Sequence, residues 1–264
     1  MPQISIEIPL TWGNRLEEQM EAIRNQTFQD YEILVSTSMP QGTHSDLLRE
    51  YGATIIQCGP NILQKRYKAH IHSNGEFSLL LDETRIPHRH LLSKLQDIEK
   101  DMVVIEERDI GNTFWVRMSN LDKIISLECN GLEADKGFVL PRYFKSFLLT
   151  QSFKEIRRNL DDTVFRSVLM EDHQLIYFEA SKLSSSIAKL NGPYLRHYGD
   201  ESLFSIVNKY YRYGKGHKIL RHTHYEKLLS PKMRVRKICS ENRMSLYLFY
   251  LARGLPFLIG YYLG

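Results

Sequence analysis

The sequence predicts an α/β protein with a mostly parallel central sheet flanked by helices. In the first hundred residues, short β-rich runs alternate with segments of helical apolar spacing, an order typical of βαβ units. The chain has 264 residues, 42% of them hydrophobic and 25% charged. That composition is ordinary for a globular protein with a sizeable core, and the length predicts one large domain or one domain with an appendage.

Four strands are predicted in this first part: Ile4–Pro9, Tyr31–Thr37, Ala53–Cys58 and Glu76–Asp82. The segment after the first strand places Leu16, Met20 and Ile23 on one helical face, and the stretches "NILQKRYKAHIHS" and "HRHLLSKLQDIEK" are also predicted helices. Open parallel sheets bind ligands outside the carboxyl ends of their strands. The polar residues expected at that edge are Thr11–Trp12, Ser36–Thr37 and Asp82–Glu83.

The second half is less regular. The stretches "MVVIEE" and "TFWVRM" are predicted strands, and "GFVLPRYFKSFLLTQ" is a predicted strand that enters a helix at Pro141. A helix is predicted over Glu171–Leu183, with Glu171 and Asp172 at its N-terminal end, where the helix dipole favours negative charge. The chain after Tyr198 is predicted to be mostly helical.

Charge and cysteine content exclude several classes of protein. The net charge is +4, and the excess is concentrated between Lys209 and Arg243, where only Glu226 and Glu241 oppose eleven basic residues. This segment contains no recognised nucleic-acid-binding module, so no nucleic-acid partner is expected. Three distant cysteines form neither a disulfide framework nor a zinc pattern. The N-terminus lacks the features of a signal peptide, and a cytoplasmic protein is expected.

The last residues, Met244–Gly264, are apolar apart from Arg253. Their length reaches the transmembrane range, but Arg253 and Pro256 lie in the middle, where a charge is costly and a proline breaks a helix. We therefore expect two short apolar segments lying in the membrane interface at the cytoplasmic face, with the basic segment on anionic headgroups. The alternative is a helix hairpin packed on the domain or on a second subunit.

Four stretches, in order, resemble the GT-A glycosyltransferases of family 2. They are "ISIEIPLTWGNRLEEQMEAIRNQTFQDYEILVSTS", "KRYKAHIHSNGEFSLLLDETRIP", "LPRYFKSFLL…MEDHQLIYFEA" and "RHYGDESLFSIVNKYYRYGKG", which together reach from Ile4 to Gly216. The resemblance implies a GT-A domain over residues 1–215, followed by a basic and apolar tail over 216–264. It also implies inverting transfer of a sugar from an activated donor, usually a nucleotide diphosphate sugar, to a hydroxyl of a lipid-linked glycan, polysaccharide or glycoprotein.

The resemblance also implies a divalent cation, Mg²⁺ or Mn²⁺, because a diphosphate leaving group develops negative charge. Asp82 matches the first residue of the family's Asp-x-Asp motif, but Thr84 stands at the second, and Thr37 and Ser38 replace an acid pair after the second strand. One interpretation is a metal held by Asp82 with Glu83 or Thr84, assisted by His197. A second is a polyprenyl-phosphate sugar or unusual nucleotide as donor, and a third is a GT-A-like protein that has lost the chemistry.

Catalytic and donor-binding residues follow from the same resemblance. Asp172, with Glu171 beside it, matches the general base, although both are also ordinary acids for a helix N-terminus. The predicted donor-binding residues are Pro9, Thr11, Trp12, Thr37, Arg66, Asp82 and Glu83. Trp12 is suited to stacking on a base, but it is equally suited to a core rim.

Several other charged residues near these positions are expected to be solvated. Arg85 and Arg89 lie near the expected diphosphate and would suit phosphate contacts, but arginines in such positions are more often solvated charges, and both are interpreted so. The close histidine pairs are also expected at the surface, because a spacing of two does not place both rings on one helical face. They are His70 with His72, His88 with His90, and His222 with His224.

Overall fold

The computed structural model describes residues 2–42, 44–129, 131–134, 139–229 and 243–264. Within these ranges, eight strands form one sheet in the order β3-β2-β1-β4-β7-β6-β8-β5. The strands are β1 Ile4–Leu10, β2 Tyr31–Thr37, β3 Thr54–Gln57, β4 Phe77–Leu80, β5 Arg85–Pro87, β6 Met102–Asp109, β7 Tyr143–Lys145 and β8 Ile187–His197. The helices are α1 Leu16–Arg24, α2 Ser45–Glu50, α3 Ile62–His70, α4 Leu91–Gln96, α5 Phe114–Cys129, α6 Ser146–Asn159, α7 Asp162–Phe165, α8 Asp172–Leu183, α9 Leu203–Ile219, α10 Glu226–Leu229 and α11 Arg243–Leu263.

The first half of the sheet is parallel. β1 lies between β2 and β4, with Ile4 opposite both Tyr31 and Phe77, and β3 continues the sheet beyond β2. All seven residues of β1 are buried, as expected for a strand covered by helices on both faces. The four predicted strands and the α/β class are confirmed here.

The second half of the sheet is mixed. β7 runs antiparallel to both β4 and β6, β8 runs parallel to β6, and β5 pairs antiparallel with β8. In this arrangement Arg85 lies opposite His197. Arg142, which precedes β7, hydrogen bonds through its backbone to Leu80 at the end of β4 and to Val103 in β6. The mixed half therefore brings residues distant in sequence to the carboxyl end of β4.

The strand predicted in "TFWVRM" is wrong, because residues 114–129 form helix α5. The β-branched and aromatic residues Thr113, Phe114, Trp115 and Val116 suggested a strand. However, β-propensity mainly reflects how a side chain packs on a half-buried surface. Val116, Ile125 and Leu127 are buried, and Asn120 hydrogen bonds to the backbone of Asp109 at the end of β6.

The C-terminal apolar residues form one continuous helix, α11, so the prediction of two short segments broken at Pro256 is wrong. Pro256 removes one backbone donor, but α11 packs along α9 so closely that a Cβ at Gly260 would overlap the Tyr211 carbonyl oxygen. Arg253 pairs with Asp122 of α5 at 2.6 Å. Among the described residues, Met244–Leu263 is the one stretch long and apolar enough to cross a membrane by length and composition.

The predicted basic and apolar tail, residues 216–264, begins inside a helix. The proposed division at residues 215 and 216 falls inside α9, which runs without interruption from Leu203 to Ile219. Residues 230–242, which carry Lys232, Arg234, Arg236 and Lys237 of the basic segment, lie outside the described residues.

Candidate functional site at the carboxyl edge of the sheet

The predicted donor-binding residues lie at one edge of the parallel half of the sheet. Pro9 is buried in β1, Thr11 and Trp12 follow that strand, and Thr37 ends β2. Asp82 and Glu83 follow β4, next to β1 in the sheet. The Trp12 side chain is 73% exposed, so its ring is open to a ligand.

Glu83 binds the loop after β1. Its carboxylate accepts hydrogen bonds from the backbone nitrogens of Thr11 at 2.8 Å, Trp12 at 2.9 Å and Gly13 at 3.0 Å. Three successive N–H groups converging on one anion form a backbone nest, and Gly13 takes the positive φ (+72°) that glycine adopts without strain. Glu83 therefore fixes the loop that presents Trp12.

Asp82 is surrounded by arginines. It forms ion pairs with Arg66 and Arg85, and Arg142 Nη1 lies 3.4 Å from its second oxygen. Burial favours the neutral acid, but Arg85, Arg66 and Arg142 together hold the pKa of Asp82 well below its usual range.

Arg66 lies beneath this group with no exposed side-chain surface. Its Nε donates to Asp172 Oδ2 at 3.1 Å and its Nη1 to the Leu81 carbonyl oxygen at 2.6 Å. Arg66 therefore joins Asp82 to Asp172 and has no exposed atom with which to touch the predicted nucleotide.

Glu107, near the end of β6, is the second acid of the group. It pairs with Arg142, with Arg85 Nε at 2.9 Å and with Lys123 at 3.6 Å. We call Arg66, Arg85, Arg142, Asp82 and Glu107 the arginine cluster. The interpretation of Arg85 as a solvated charge is wrong, because its side chain is only 14% exposed and bridges two carboxylates.

The acids at the start of α8 lie against this cluster. Burial raises the pKa of Asp172, against the lowering effect of Arg66. Burial also raises the pKa of Glu171 to about 7, and Glu171 Oε1 has no hydrogen-bond partner among the described residues. His173 Nε2 accepts from Arg66 at 2.9 Å and Arg142 at 3.2 Å, so this ring is neutral. Burial, followed by Arg66 and Arg142, holds the pKa of His173 well below its ordinary value.

His197 has a partner other than Asp82. Its Nδ1 lies 2.5 Å from Asp109 Oδ1, and Asp109 also accepts from Ser119 and Lys123 at 2.5 Å each. Burial, followed by the charge of Arg85, lowers the pKa of His197 to about 4. Its neighbour in the predicted metal set, Thr84, accepts a backbone hydrogen bond from Tyr198.

The donor set does not fit a divalent cation. In the part of the chain that the structure describes, no three His, Cys, Asp or Glu side chains are grouped to hold a metal ion. Asp82 is bound by guanidinium groups and Glu83 by backbone amides. Two like unit charges 4 Å apart near a protein surface repel by about 4 kcal/mol, and a divalent ion doubles that. A cation at Asp82 would therefore face strong repulsion from three arginines.

A cavity of about 770 Å³ opens beside the cluster, between the ends of β6 and β8 and helices α5, α9 and α11. Its charged lining mixes both signs: the basic residues are Arg85, Arg142, Lys123, Lys209 and Arg253, and the acids are Glu106, Glu107, Asp109, Asp122 and Asp200. Near α11 the lining becomes apolar, with Phe257, Leu258 and Tyr262. The cavity can therefore accommodate a ligand with a charged end and an apolar end.

Sequence reasoning missed three members of this site: Glu107, Arg142 and His173. Arg142 precedes β7 and Glu107 lies near the end of β6. The pairing of these two strands is not visible in the sequence. His173 follows the acid pair directly in "EDHQ", and that proximity was the one available signal. Of the six paired histidines, His70 also departs from the surface expectation, because it is buried against Glu7 at 3.0 Å and Thr150 at 2.9 Å.

No protein-family model and no curated protein matches this chain. Solved structures with the same fold include the mannosyltransferase PcManGT from Pyrobaculum calidifontis with GDP-Man and Mn²⁺ (13% identity, TM-score 0.57, covering 95% of this chain and 74% of that one). S. aureus TarS 1–349 with UDP is 14% identical, with a TM-score of 0.54 and coverage of 98% and 89%. Glucosyl-3-phosphoglycerate synthase from Mycobacterium tuberculosis, with Mn²⁺, UDP and phosphoglyceric acid, is 13% identical, with a TM-score of 0.52 and coverage of 88% and 80%. The chain therefore has the GT-A glycosyltransferase fold.

Proposed function

We propose that this protein is an inverting glycosyltransferase of the family 2 type, which moves a sugar from a nucleoside diphosphate donor to an acceptor hydroxyl. The observation that carries the proposal is the shared position of the donor-edge residues and Asp172. In a fold common to proteins that bind UDP and GDP-Man, Trp12, Thr37 and Asp82 lie at the carboxyl ends of neighbouring strands. Asp172, which is only 4% exposed, is joined to Asp82 through Arg66.

The donor would lie across this edge. Trp12 offers an exposed ring for the base, and Pro9, Thr11 and Thr37 would line the donor at the ends of β1 and β2. Glu83 holds the loop in place through its three amide contacts. The sugar would then point past Asp82 towards the cavity, where an acceptor hydroxyl can approach from the face opposite the leaving group.

In the reaction, the acceptor oxygen forms a new bond to C1 of the sugar. The bond from C1 to the β-phosphate oxygen breaks, its electron pair stays on that oxygen, and the acceptor proton passes to Asp172. Burial raises the pKa of Asp172 and makes it a stronger base than an exposed aspartate, while Arg66 orients the carboxylate. General base catalysis of this type contributes roughly 10²–10⁴-fold. Glu171 is an alternative proton acceptor, since its pKa of about 7 suits proton transfer near neutrality.

The expected Mg²⁺ or Mn²⁺ does not enter this scheme. Two of the similar structures contain Mn²⁺, but Asp82, Thr84 and His197 of this chain do not form a fitting ligand set. No step is therefore assigned to a metal.

The acceptor is proposed to be lipid-linked and the protein to be peripheral at the cytoplasmic face of a membrane. Helix α11 exposes a row of apolar side chains, including Tyr247, Leu251, Leu255 and Ile259, while Arg253 turns inward to Asp122. An exposed apolar helix face of this kind suits contact with the interface between headgroups and acyl chains. The apolar end of the cavity lies on the same helix, so a polyprenyl chain could enter there, on the acceptor or on a polyprenyl-phosphate donor.

The proposal is tested with Asp172→Asn. The protein is incubated with UDP-, GDP-, CDP- and dTDP-sugars and polyprenyl-phosphate acceptors in detergent, and products are detected by mass spectrometry. We expect one donor to react, with product formation lowered at least about 100-fold in the variant and nucleotide binding retained. Equal rates in the variant and the unmodified protein would remove Asp172 from the base role. Glu155→Gln, at a partly exposed position of α6, is the control.

A second candidate is a GT-A-like protein that binds a sugar-phosphate ligand or a partner transferase without catalysis. The observation that favours it is the mutual pairing of acids and bases in the cluster, which leaves Asp82, Glu107 and Asp172 each bound to an arginine. Nucleotide binding without transfer to any acceptor would support this candidate.

A further inference from the structure

Asp82, which follows β4, has cations around it where a metal site would have further acids. Arg66, Arg85 and Arg142 all approach Asp82, and the latter two also contact Glu107. Asp82 and Glu107 thus hold the guanidinium groups of Arg85 and Arg142 in fixed positions at the edge of the cavity. Arg66 is different, because it is fully buried and each of its three nitrogens is already hydrogen-bonded.

Arg85 and Arg142 retain donors that the protein does not use. Arg85 binds Glu107 through Nε and Asp82 through Nη1, and Arg142 binds Glu107 through Nε and Asp82 and His173 through Nη1. Within the described ranges, Nη2 of neither residue has a hydrogen-bond acceptor, and neither atom is buried without a partner. Both side chains line the cavity. Two oriented guanidinium groups therefore present N–H donors at one place.

We propose that Arg85 and Arg142 bind the donor's diphosphate in place of a divalent cation, so that this chain acts without a metal. The inference rests on the proposed function, since it concerns the leaving group of that reaction. A guanidinium is planar, permanently charged and able to bind phosphate oxygens in pairs. Donors held in advance where negative charge develops stabilise the transition state without reorganisation.

In this arrangement Asp82 has the opposite role to that of a metal ligand. It positions the arginines and offsets part of their charge. Removing its negative charge would abolish binding at a metal site, because the cation would lose its anchor. At an arginine site the same change leaves more uncompensated positive charge near the diphosphate, so binding is kept or becomes tighter. The sign of the effect of Asp82→Asn therefore distinguishes the two mechanisms.

The test is calorimetric titration of UDP, GDP, CDP and dTDP into the full chain, once in EDTA and once with Mn²⁺. The variants are Asp82→Asn, Arg85→Ala and Arg142→Ala, with Arg85→Lys in case loss of the whole side chain unfolds the protein. Arg89→Ala is the matched control, since Arg89 lies four residues after Arg85 but is exposed, and its side chain hydrogen bonds to His90 rather than to an acid. Thermal melting of every variant checks that it is folded. Pyrophosphate, titrated in EDTA, reports on the diphosphate site without a base.

We expect one nucleotide to bind with a Kd in EDTA within about threefold of that in Mn²⁺. Arg85→Ala and Arg142→Ala should each weaken binding about tenfold or more, while Asp82→Asn should keep or tighten it and Arg89→Ala should leave it unchanged. Nucleotide binding that appears only with Mn²⁺, or that is lost in Asp82→Asn, would overturn this inference and leave the proposed function standing. Absence of binding by every nucleotide under both conditions would overturn both.

Discussion

Replacing Arg66 by methionine should be the most damaging single change in the site. Arg66 is fully buried, and in the described ranges it is the one Arg or Lys that pairs with Asp172. Asp82 would keep Arg85 and Arg142, whereas Asp172 would become a buried carboxylate without a directly paired arginine or lysine in the described ranges. Removing one member of a buried ion pair costs about 3–5 kcal/mol, because the other charge is left without compensation.

That loss is large against a total stability of about 5–15 kcal/mol for a folded domain. Urea unfolding followed by circular dichroism should show a lower midpoint at an unchanged slope. The double variant with Asp172→Asn should recover at least about 2 kcal/mol, because the second change removes the uncompensated charge. Arg24→Met is the matched control: Arg24 pairs with Glu21 at the surface, where such a pair is worth about 0–1 kcal/mol.

The loss of unfolding free energy caused by Arg66→Met should also depend on pH. Without Arg66, the folded-state pKa of Asp172 rises further above its unfolded value, so the folded variant binds the proton more tightly than the unfolded chain. Its stability then falls as pH rises, and the difference from the unmodified protein should be larger at pH 8 than at pH 5. A loss below about 1 kcal/mol, or single losses that simply add in the double variant, would refute the view that Arg66 compensates a buried Asp172.

Three further changes test other parts of the structure. Glu171, with a pKa of about 7 in place of 4.5, should lower stability by up to about 3 kcal/mol as pH rises from 4.5 to 7, and Glu171→Gln should abolish that slope in urea unfolding. Glu83→Gln should cost about 1–3 kcal/mol and speed amide exchange at residues 11–13, whereas exposed Glu17→Gln should do neither. Gly260→Ala should lower the Tm because the added Cβ meets the backbone of α9, whereas Gly254→Ala, which meets no atom within 4 Å, should stabilise the helix by about 0.5–1 kcal/mol.

The parallel half of the sheet could be predicted because each of its strands carries its own signal. β1, β2 and β4 are rich in isoleucine, leucine and valine, and segments of helical spacing separate them. Strands alternating with helices also predict that neighbouring strands run parallel, although their order in the sheet was not predicted. The prediction that Trp12, Thr37 and Asp82 share one edge needed no information beyond strand direction.

The mixed half could not be predicted in the same way. β7 is three residues long and inserts between β4 and β6, which lie far from it in sequence. No local pattern specifies such a pairing, yet it is this pairing that places Arg142 beside Asp82. Arg85 was misread for the same reason: its burial depends on β8 and on Glu107, not on its neighbours in sequence.

Helix α11 shows that the residues of a segment alone do not predict whether it is helical through a proline. Pro256 and Arg253 each argue against a continuous apolar helix when only the segment itself is considered. In the structure, Arg253 is compensated by Asp122 and stacks on Tyr210 and Phe249, with its guanidinium carbon 4.6 and 4.8 Å from the ring centroids. Packing against α9 and α5 thus removes the cost that the segment would carry alone.

The missing acids and the buried arginines have one electrostatic explanation. A second acid at Thr84 and an acid at Thr37 would suit a site that binds a divalent cation, as the family resemblance implies. With Arg66, Arg85 and Arg142 already around Asp82, the site has its positive charge built into the chain. Further acids would then compete with a diphosphate for the same guanidinium donors. The absence of acids at Thr37 and Thr84 is therefore consistent with the anion binding that we propose for Arg85 and Arg142.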